Sequence, residues 1–325
     1  MSLPYSLRLL CLCLSSFFLV HVFAAFAVSF FAPRAIRLAN GMGAKTAANW
    51  LFTLRLLPVG AGLLAVLGFC IPSYLWLEPR RNVESVGLLC LFLAIFGAAA
   101  LVESSARMLL ATNAASRFGR PFERSSLAAQ VPAGFSSVCV LSQDSPLLAV
   151  AGVFRPRLLV STSVLRALLP DEWNAALLHE RAHRIWRDNL KRFLLLSSPR
   201  PFFFGRGLLS LVQEWSKFAE WAADDLAVGG DPNRAVSLAA ALVRVARLGS
   251  STPPPALVSS LAGGSGLSER VERLLRMARP DLPSPRKSSS RLHELLFFAA
   301  GLVFVMLLWP ASLFPIHLLL ERLLS

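Results

Sequence analysis

Two histidines four residues apart flank an acid in the sequence His179-Glu180-Arg181-Ala182-His183. On an α-helix, residues at this spacing share one face with Cβ atoms about 5–6 Å apart, so the two imidazoles can bind one metal ion. The carboxylate of Glu180 then lies beside that ion, where a general base can take a proton from an attacking water. The alternative, an exposed helix that carries these residues by coincidence, is disfavoured because the apolar neighbours indicate burial, which is costly for unpartnered histidines. The motif therefore predicts a zinc site with hydrolytic chemistry.

A zinc site of this type needs a third protein ligand, and Glu220 is the preferred candidate. It lies on the next long predicted helix, where alanines at 219, 222 and 223 allow a close approach to the motif. Asp224 follows one turn later on the same face and can accept the second ring N–H of a ligand histidine, which would fix its tautomer. Asp225 and Glu214 remain rivals for the metal, and a solvated acidic patch is the alternative interpretation of Asp224 and Asp225.

Asp188 lies little more than one turn beyond His183, within Arg187-Asp188-Asn189. It can anchor the motif helix to the predicted helix that begins at Asp231-Pro232. A surface ion pair with Arg184 or Arg187 fits the sequence equally well and would contribute little energy.

The elements that must position these residues lie in a polar segment from Arg107 to Arg291. Alternating and short apolar runs predict three strands, and caps and glycine stops predict helices after them. The strands are expected at 137–141, 147–153 and 157–160, and the helices from Pro170, from Leu208 to Val228, from Asp231-Pro232, and near Ser268 to Met277. The stretch from Thr252 to Gly266 is rich in Pro, Ser and Gly, which indicates a linker or mobile loop.

The remainder of the chain is too apolar for a soluble protein. Hydrophobic residues make up 55% of the 325 residues, and the mean hydropathy is +0.57. Four apolar runs are long enough to cross a bilayer: about 9–32, 56–77, 85–102 and 295–320. The fold class expected is a mainly α membrane protein, with three spans in residues 1–106, an α+β zincin-like domain at 107–291, and a fourth span in 292–325. A cleaved signal peptide ending near Ala25-Phe26-Ala27 is less consistent with the first run, which continues through Phe31.

Charge indicates the orientation of these spans. The net charge is +14, but no stripe of basic and aromatic residues in the polar segment indicates nucleic-acid binding. Basic residues instead flank the spans, in the loop after the first span and on both sides of the polar segment. By the positive-inside rule, that loop and the polar segment face the cytoplasm, in an inner (cytoplasmic) membrane of bacterial type.

Four of the five cysteines lie in apolar runs, which indicates packing rather than a disulfide framework.

Three stretches resemble the BlaR/MecR-type membrane metallopeptidases, the antirepressor group. They are 145–158, which includes Gly152-Val153-Phe154; His179 to Asn189; and Glu220-Trp221-Ala222-Ala223-Asp224. The resemblance implies that His179, His183 and Glu220 bind zinc, Glu180 is the base and Asp224 supports the site. It also implies that Gly152, Val153 and Phe154 belong to an edge strand, running to Pro156, that binds a protein or peptide substrate by β-augmentation. A transcriptional repressor is a candidate substrate by this analogy alone.

The chain also departs from that family. Trp186 and Ala223 replace residues common in it, and only residues 321–325 follow the last apolar run, so no penicillin-binding sensor is expected after it. The HtpX/prenyl-protease group also combines HExxH with ExxxD and is the near alternative. A non-catalytic membrane transducer with a structural zinc is the second alternative, although a structural site needs no acid next to its histidine.

Overall fold

The computed structural model describes residues 4–77, 86–119, 138–141, 146–154, 156–200, 205–249, 257–261 and 266–279. Within these residues the protein is mainly helical and contains one small sheet. The fourth predicted span, 295–320, and the segment that leads to it lie outside the described residues.

Three long apolar helical segments form the first part of the chain. Helix α1 is Tyr5–Asn40; α2 is Ala44–Leu64 and continues through a π-helical turn (Ala65–Cys70) into α3 (Ile71–Leu77); α4 is Leu88–Gly119. Each segment is long and apolar enough to cross a membrane, so the first three predicted spans are confirmed as helices of that kind. The helices extend beyond the predicted runs because an apolar run marks only the part of a helix that suits lipid.

Glycines allow these helices to approach closely. A Cβ on Gly97 of α4 would lie 2.6 Å from the Leu14 carbonyl oxygen of α1. A Cβ on Gly62 of α2 would lie 2.8 Å from the Phe17 ring. Small residues at such crossings are the usual means of packing helices in lipid, where apolar burial gives no driving force.

The sheet has four strands in the order β1-β3-β2-β4. Strands β1 (Val138–Leu141), β2 (Leu148–Ala151) and β3 (Arg157–Ser161) confirm the three predicted strands. Strand β3 runs parallel to β1 and antiparallel to β2. The fourth strand, β4 (Val258–Ser260), pairs antiparallel with β2.

Two expectations about this sheet are wrong. Strand β4 lies within the segment 252–266, which the composition indicated to be a linker. A three-residue strand leaves almost no pattern in the sequence, and only its pairing with β2 defines it. The edge strand expected at Gly152–Pro156 is also not formed by the described residues 152–154, because β2 ends at Ala151 and is paired on both sides.

Six helices accompany the sheet: α5 (Thr162–Ala167), α6 (Pro170–Ile185), α7 (Asp188–Ser197), α8 (Gly205–Val228), α9 (Pro232–Arg247) and α10 (Leu267–Met277). The predicted starts at Pro170 and Pro232 are confirmed. Asp231 caps α9 by accepting from the backbone N–H of Asn233 at 2.9 Å. Helix α7 was not predicted, since its short apolar stripe is interrupted by charges.

Helix α8 connects the two parts of the molecule. Its buried side chains, including Leu211, Trp215 and Phe218, share one core cluster with residues of α1 and α2 such as Ala32 and Leu51. This core therefore includes residues on both sides of the boundary predicted near residue 107.

Candidate metal centre

Helix α6 holds the two motif histidines, and it is fixed at its start by an acid. Glu172 accepts a hydrogen bond from the backbone N–H of Leu169 at 3.0 Å, which satisfies one donor at the helix N-terminus. The same carboxylate pairs with Arg244 of α9 at 2.9 Å. Ala175, Ala176 and Ala182 are buried, so neighbouring elements pack closely along α6. The histidines consequently lie on a helix held from two sides.

Three buried side chains converge on one point. Nε2 of His179 lies 3.1 Å from Nε2 of His183, and Oε2 of Glu220 lies 3.4 and 3.6 Å from these two atoms. Ligands about 2.0–2.1 Å from a tetrahedral zinc ion are separated by about 3.3–3.4 Å. The triangle therefore has the dimensions of one face of a metal tetrahedron, and this His–His–Glu group can hold a metal ion.

A carboxylate lies behind each histidine. Nδ1 of His179 is 2.9 Å from Oδ1 of Asp224, and Nδ1 of His183 donates to Oδ2 of Asp188 at 2.8 Å. Both acids are buried. A proton on Nδ1 leaves Nε2 as the lone-pair nitrogen, so both carboxylates favour the tautomer that points its lone pair into the triangle. The structure thus places Asp224 and Asp188 where the sequence predicted supporting residues, and Asp188 forms a buried contact rather than a surface ion pair.

Arg270 of α10 is the main residue that the sequence analysis missed. Its guanidinium donates to both oxygens of Asp224, at 2.9 and 2.7 Å, and lies 3.3 Å from Oε2 of Glu220. It also donates to the carbonyl of Leu261, just after β4. A signal was present, because Arg270 lies on the same face of α10 as Leu267 and Leu274. A cation in an apolar stripe needs a buried partner.

Charge interactions at this centre are strong because water is excluded. Burial alone would raise the pKa of Asp224, but Arg270 and His179 outweigh it and lower that pKa to about 2. Burial would likewise raise the pKa of Glu220, yet His183 and His179 hold it well below its usual range. Burial lowers the pKa of His183, but Glu220 and Asp188 raise it to about 10. The centre therefore contains several buried charge pairs, with Glu220 ionised.

Glu180 differs from the other acids. It is fully buried, and within the described residues neither of its carboxylate oxygens has a hydrogen-bond partner. Burial raises its pKa to about 7, and the neighbouring His179 and His183 only partly oppose that shift. A buried carboxylate left without a partner beside a metal-binding triangle is suited to exchange a proton near neutral pH.

The turn between α6 and α7 fixes the geometry around His183. Arg187 has φ 52°, a left-handed conformation that is unusual for a residue with a side chain. Asp188 starts α7 from there, and Nδ2 of Asn189 donates to the carbonyl oxygens of Val150 and Gly152 at 2.9 and 3.1 Å. The segment 187–189 therefore ties the metal helix to the end of β2.

A cavity of about 540 Å³ opens next to His183. Its lining includes Gly152, Val153 and Phe154, the residues that the resemblance assigned to substrate. They do not form an edge strand, but they border the same cavity as a candidate metal ligand. A volume of this size lies in the range of ligand-binding pockets.

The rival acids lie away from the triangle. Asp225 pairs with Arg273 at 2.6 Å and is about one-third exposed. Glu214 is half-buried and lies nearly two turns before Glu220 on α8. Within the described part of the chain, no fourth His, Cys, Asp or Glu joins the group.

Comparison with known proteins adds no assignment to this geometry: no protein-family model matches the chain, and no curated protein matches it.

Proposed function

We propose that the protein is a membrane-embedded zinc metalloendopeptidase. The observation that carries the proposal is the triangle of His179, His183 and Glu220 with the unpartnered, buried carboxylate of Glu180 next to its first histidine. The donor set suits zinc, which binds imidazole nitrogen and carboxylate oxygen and leaves a position open in catalytic sites.

A zinc ion held by these three atoms would supply Lewis acidity, which acidifies water and polarises the carbonyl of a peptide bond. Glu180 takes the proton as water attacks the carbonyl carbon, and it then delivers that proton to the leaving nitrogen as the C–N bond breaks. Asp224 and Asp188 hold the two imidazoles in the required tautomer throughout. Arg270 keeps Asp224 and Glu220 ionised by facing both carboxylates.

The resemblance to the BlaR/MecR-type peptidases supports a more specific role, cleavage of a protein substrate in signal transduction, with a transcriptional repressor as one candidate. The HtpX/prenyl-protease type remains the alternative enzyme class. A transducer with a purely structural zinc is less well supported, because within the described residues only three potential metal ligands come together at the site. Three apolar helices and the basic flanks support a location in the inner membrane with the centre facing the cytoplasm.

The test compares proteins in cells that carry the wild type or Glu180→Gln. Glutamine keeps the size of the side chain but cannot take a proton. We expect a cleavage fragment that is present only with the wild type, while both proteins, once purified, hold about one zinc ion. A substrate cut equally well by both proteins would disprove the role of Glu180.

Glu214→Gln serves as the matched control. It makes the same change from glutamate to glutamine, but on α8 and away from the triangle. Both the cleavage fragment and the zinc content should therefore stay unchanged.

A further inference from the structure

The cavity beside His183 has a strongly basic lining. Arg181, Arg184 and Arg187 all border it, and within the described residues no acid does. Its other lining residues are mostly apolar, including the exposed Phe154 and Ile185. Because the proposed peptidase must bring a peptide past His183, this lining selects what can bind there.

We propose that the cavity binds an extended peptide segment with acidic side chains next to apolar ones, so that the substrate is acidic near its cleavage site. This inference rests on the proposed function for the cleavage, but not for the binding. Arginine suits the role because its planar guanidinium donates two parallel hydrogen bonds to a carboxylate.

The position of the arginines in α6 has a simpler partial explanation. Arg184 lies in the last turn of α6 and Arg181 just before it, where cations are favoured by the helix dipole. That explanation does not extend to Arg187. This residue holds a left-handed backbone, where glycine or asparagine would be less strained. A strained arginine on the rim of a cavity favours a role in binding.

A membrane headgroup is the other anion that arginines could bind. Three observations favour a peptide. The arginines border the cavity that includes His183, a ligand of the proposed metal site. The cavity also runs along residues 152–154, just past the end of β2, so an extended peptide has a length of chain to lie against. Apolar side chains share the lining with the charges, as suits the mixed side chains of a peptide rather than a phosphate alone.

The test measures binding on zinc-loaded Glu180→Gln protein in neutral detergent, so that nothing is cleaved. A fluorescent decapeptide with four glutamates among apolar residues is compared with the same peptide carrying glutamines, by anisotropy. We expect the glutamate peptide to bind about tenfold more tightly at low salt, with the difference shrinking as salt screens the charges. Each of Arg181→Gln, Arg184→Gln and Arg187→Gln should reduce that preference about threefold.

Two controls separate this proposal from general charge effects. Arg166→Gln removes an exposed charge that does not border the cavity and should leave the preference unchanged. Arg187→Gly should reduce the preference about threefold, as Arg187→Gln does, without lowering the midpoint of thermal unfolding, because glycine relieves the left-handed backbone. Equal binding of the two peptides would overturn the proposal. So would an effect of Arg166→Gln on the preference as large as the effects of the three cavity variants. Displacement of the peptide by dihexanoylphosphatidylglycerol, but not by dihexanoylphosphatidylcholine, would assign the surface to lipid instead.

Cleavage is scored separately with the wild type. A preserved glutamate preference without cleavage would contradict the peptidase function and leave the binding proposal standing. Cleavage of both peptides at the same rate, with equal affinities, would support the peptidase function and overturn the binding proposal.

Discussion

Three acids of α8 differ in their relation to the centre, as their contacts show. Glu220 lies in the ligand triangle, Asp224 holds His179 from behind, and Asp225 pairs with Arg273 outside the centre. Glu220→Ala should therefore lose zinc and activity together. Asp224→Ala should lower metal affinity or activity by about 10–100-fold, as for residues that orient a ligand. Asp225→Ala should have almost no effect.

Two measurements on the purified variants test this order: the zinc content after dialysis, and the rate of peptide cleavage. If Asp225→Ala removed the metal while Glu220→Ala kept it, the assignment of the third ligand would be wrong.

Arg270 leads to a prediction about the metal-free protein. Removing one partner of a buried charge pair costs about 3–5 kcal/mol because the other charge stays buried. Arg270→Gln should therefore lower the midpoint of thermal unfolding strongly in the presence of a chelator. A bound dication would supply positive charge to the same carboxylates, so zinc should raise the midpoint more in Arg270→Gln than in the wild type.

Differential scanning fluorimetry with chelator or zinc measures both values. Arg276→Gln, on the exposed side of the same helix, is the control and should behave like the wild type. An equal zinc effect in wild type and Arg270→Gln would show that Arg270 does not compensate the charges of the centre.

The two histidines could be assigned to the centre from the sequence, whereas Arg270 could not. The spacing of His179 and His183 follows from helix geometry alone, so one element suffices to predict their shared face. Glu220 and Asp224 required a face argument on a second helix, which the structure supports by their positions. The apolar stripe of α10 indicates that Arg270 needs a buried partner, but its pairing with Asp224 of α8 is a tertiary contact that the sequence does not show.

At the scale of elements, α8 crosses α1 at close range near Gly207. A Cβ on Gly207 would lie 2.6 Å from the carbonyl oxygen of Ser29, which is backbone and cannot move aside. Gly207→Ala must therefore shift α8, with an expected cost of about 1–3 kcal/mol. Since Glu220 lies on the same helix, zinc affinity should fall as well.

Gly60→Ala is the matched control for this change. Gly60 lies inside α2, and a Cβ there would meet nothing within 4 Å. Alanine should be neutral or mildly stabilising there because of its higher helix propensity. Equal unfolding midpoints and zinc contents for the two variants would show that the crossing of α8 and α1 does not position Glu220.

The elements differ in how far the sequence determines them. Caps predict the starts of α6 and α9 to within a residue or two, because a proline or an acid at a helix start acts locally. The full length of α4 is not predictable from hydropathy, since its last turns, to Gly119, are polar. Strand β4 exists only through its pairing with β2, and this distant contact also decides that β2 is not an edge strand.

At the scale of the whole molecule, the apolar helices contact the elements that carry the centre at several points. Arg55 of α2 donates to the hydroxyl of Ser198 at 2.7 Å, and Arg107 of α4 donates to the carbonyl of the same residue at 3.3 Å. Lys45 lies 5.3 Å from the centre of the Trp186 ring, next to the motif helix. Together with the α8 core, these contacts attach the candidate metal centre to the membrane helices.

A chain that begins after α4 should therefore fail to form the metal centre, even though it keeps every predicted ligand. Its α8 would expose Leu208, Leu211, Trp215 and Phe218, which are now buried within the core shared with α1 and α2. Burial of such side chains contributes about 1.5–3 kcal/mol each, a large share of the stability of a domain of this size. We expect the truncated chain to aggregate or to bind zinc at least tenfold more weakly than the full chain in detergent. Zinc titration of the two proteins, with soluble material of the truncated chain separated by size-exclusion chromatography, measures the difference. A monomeric truncated chain with full zinc affinity would instead establish residues after 119 as an independent domain, and would show that the contacts between α8 and the membrane helices do not hold Glu220 in place.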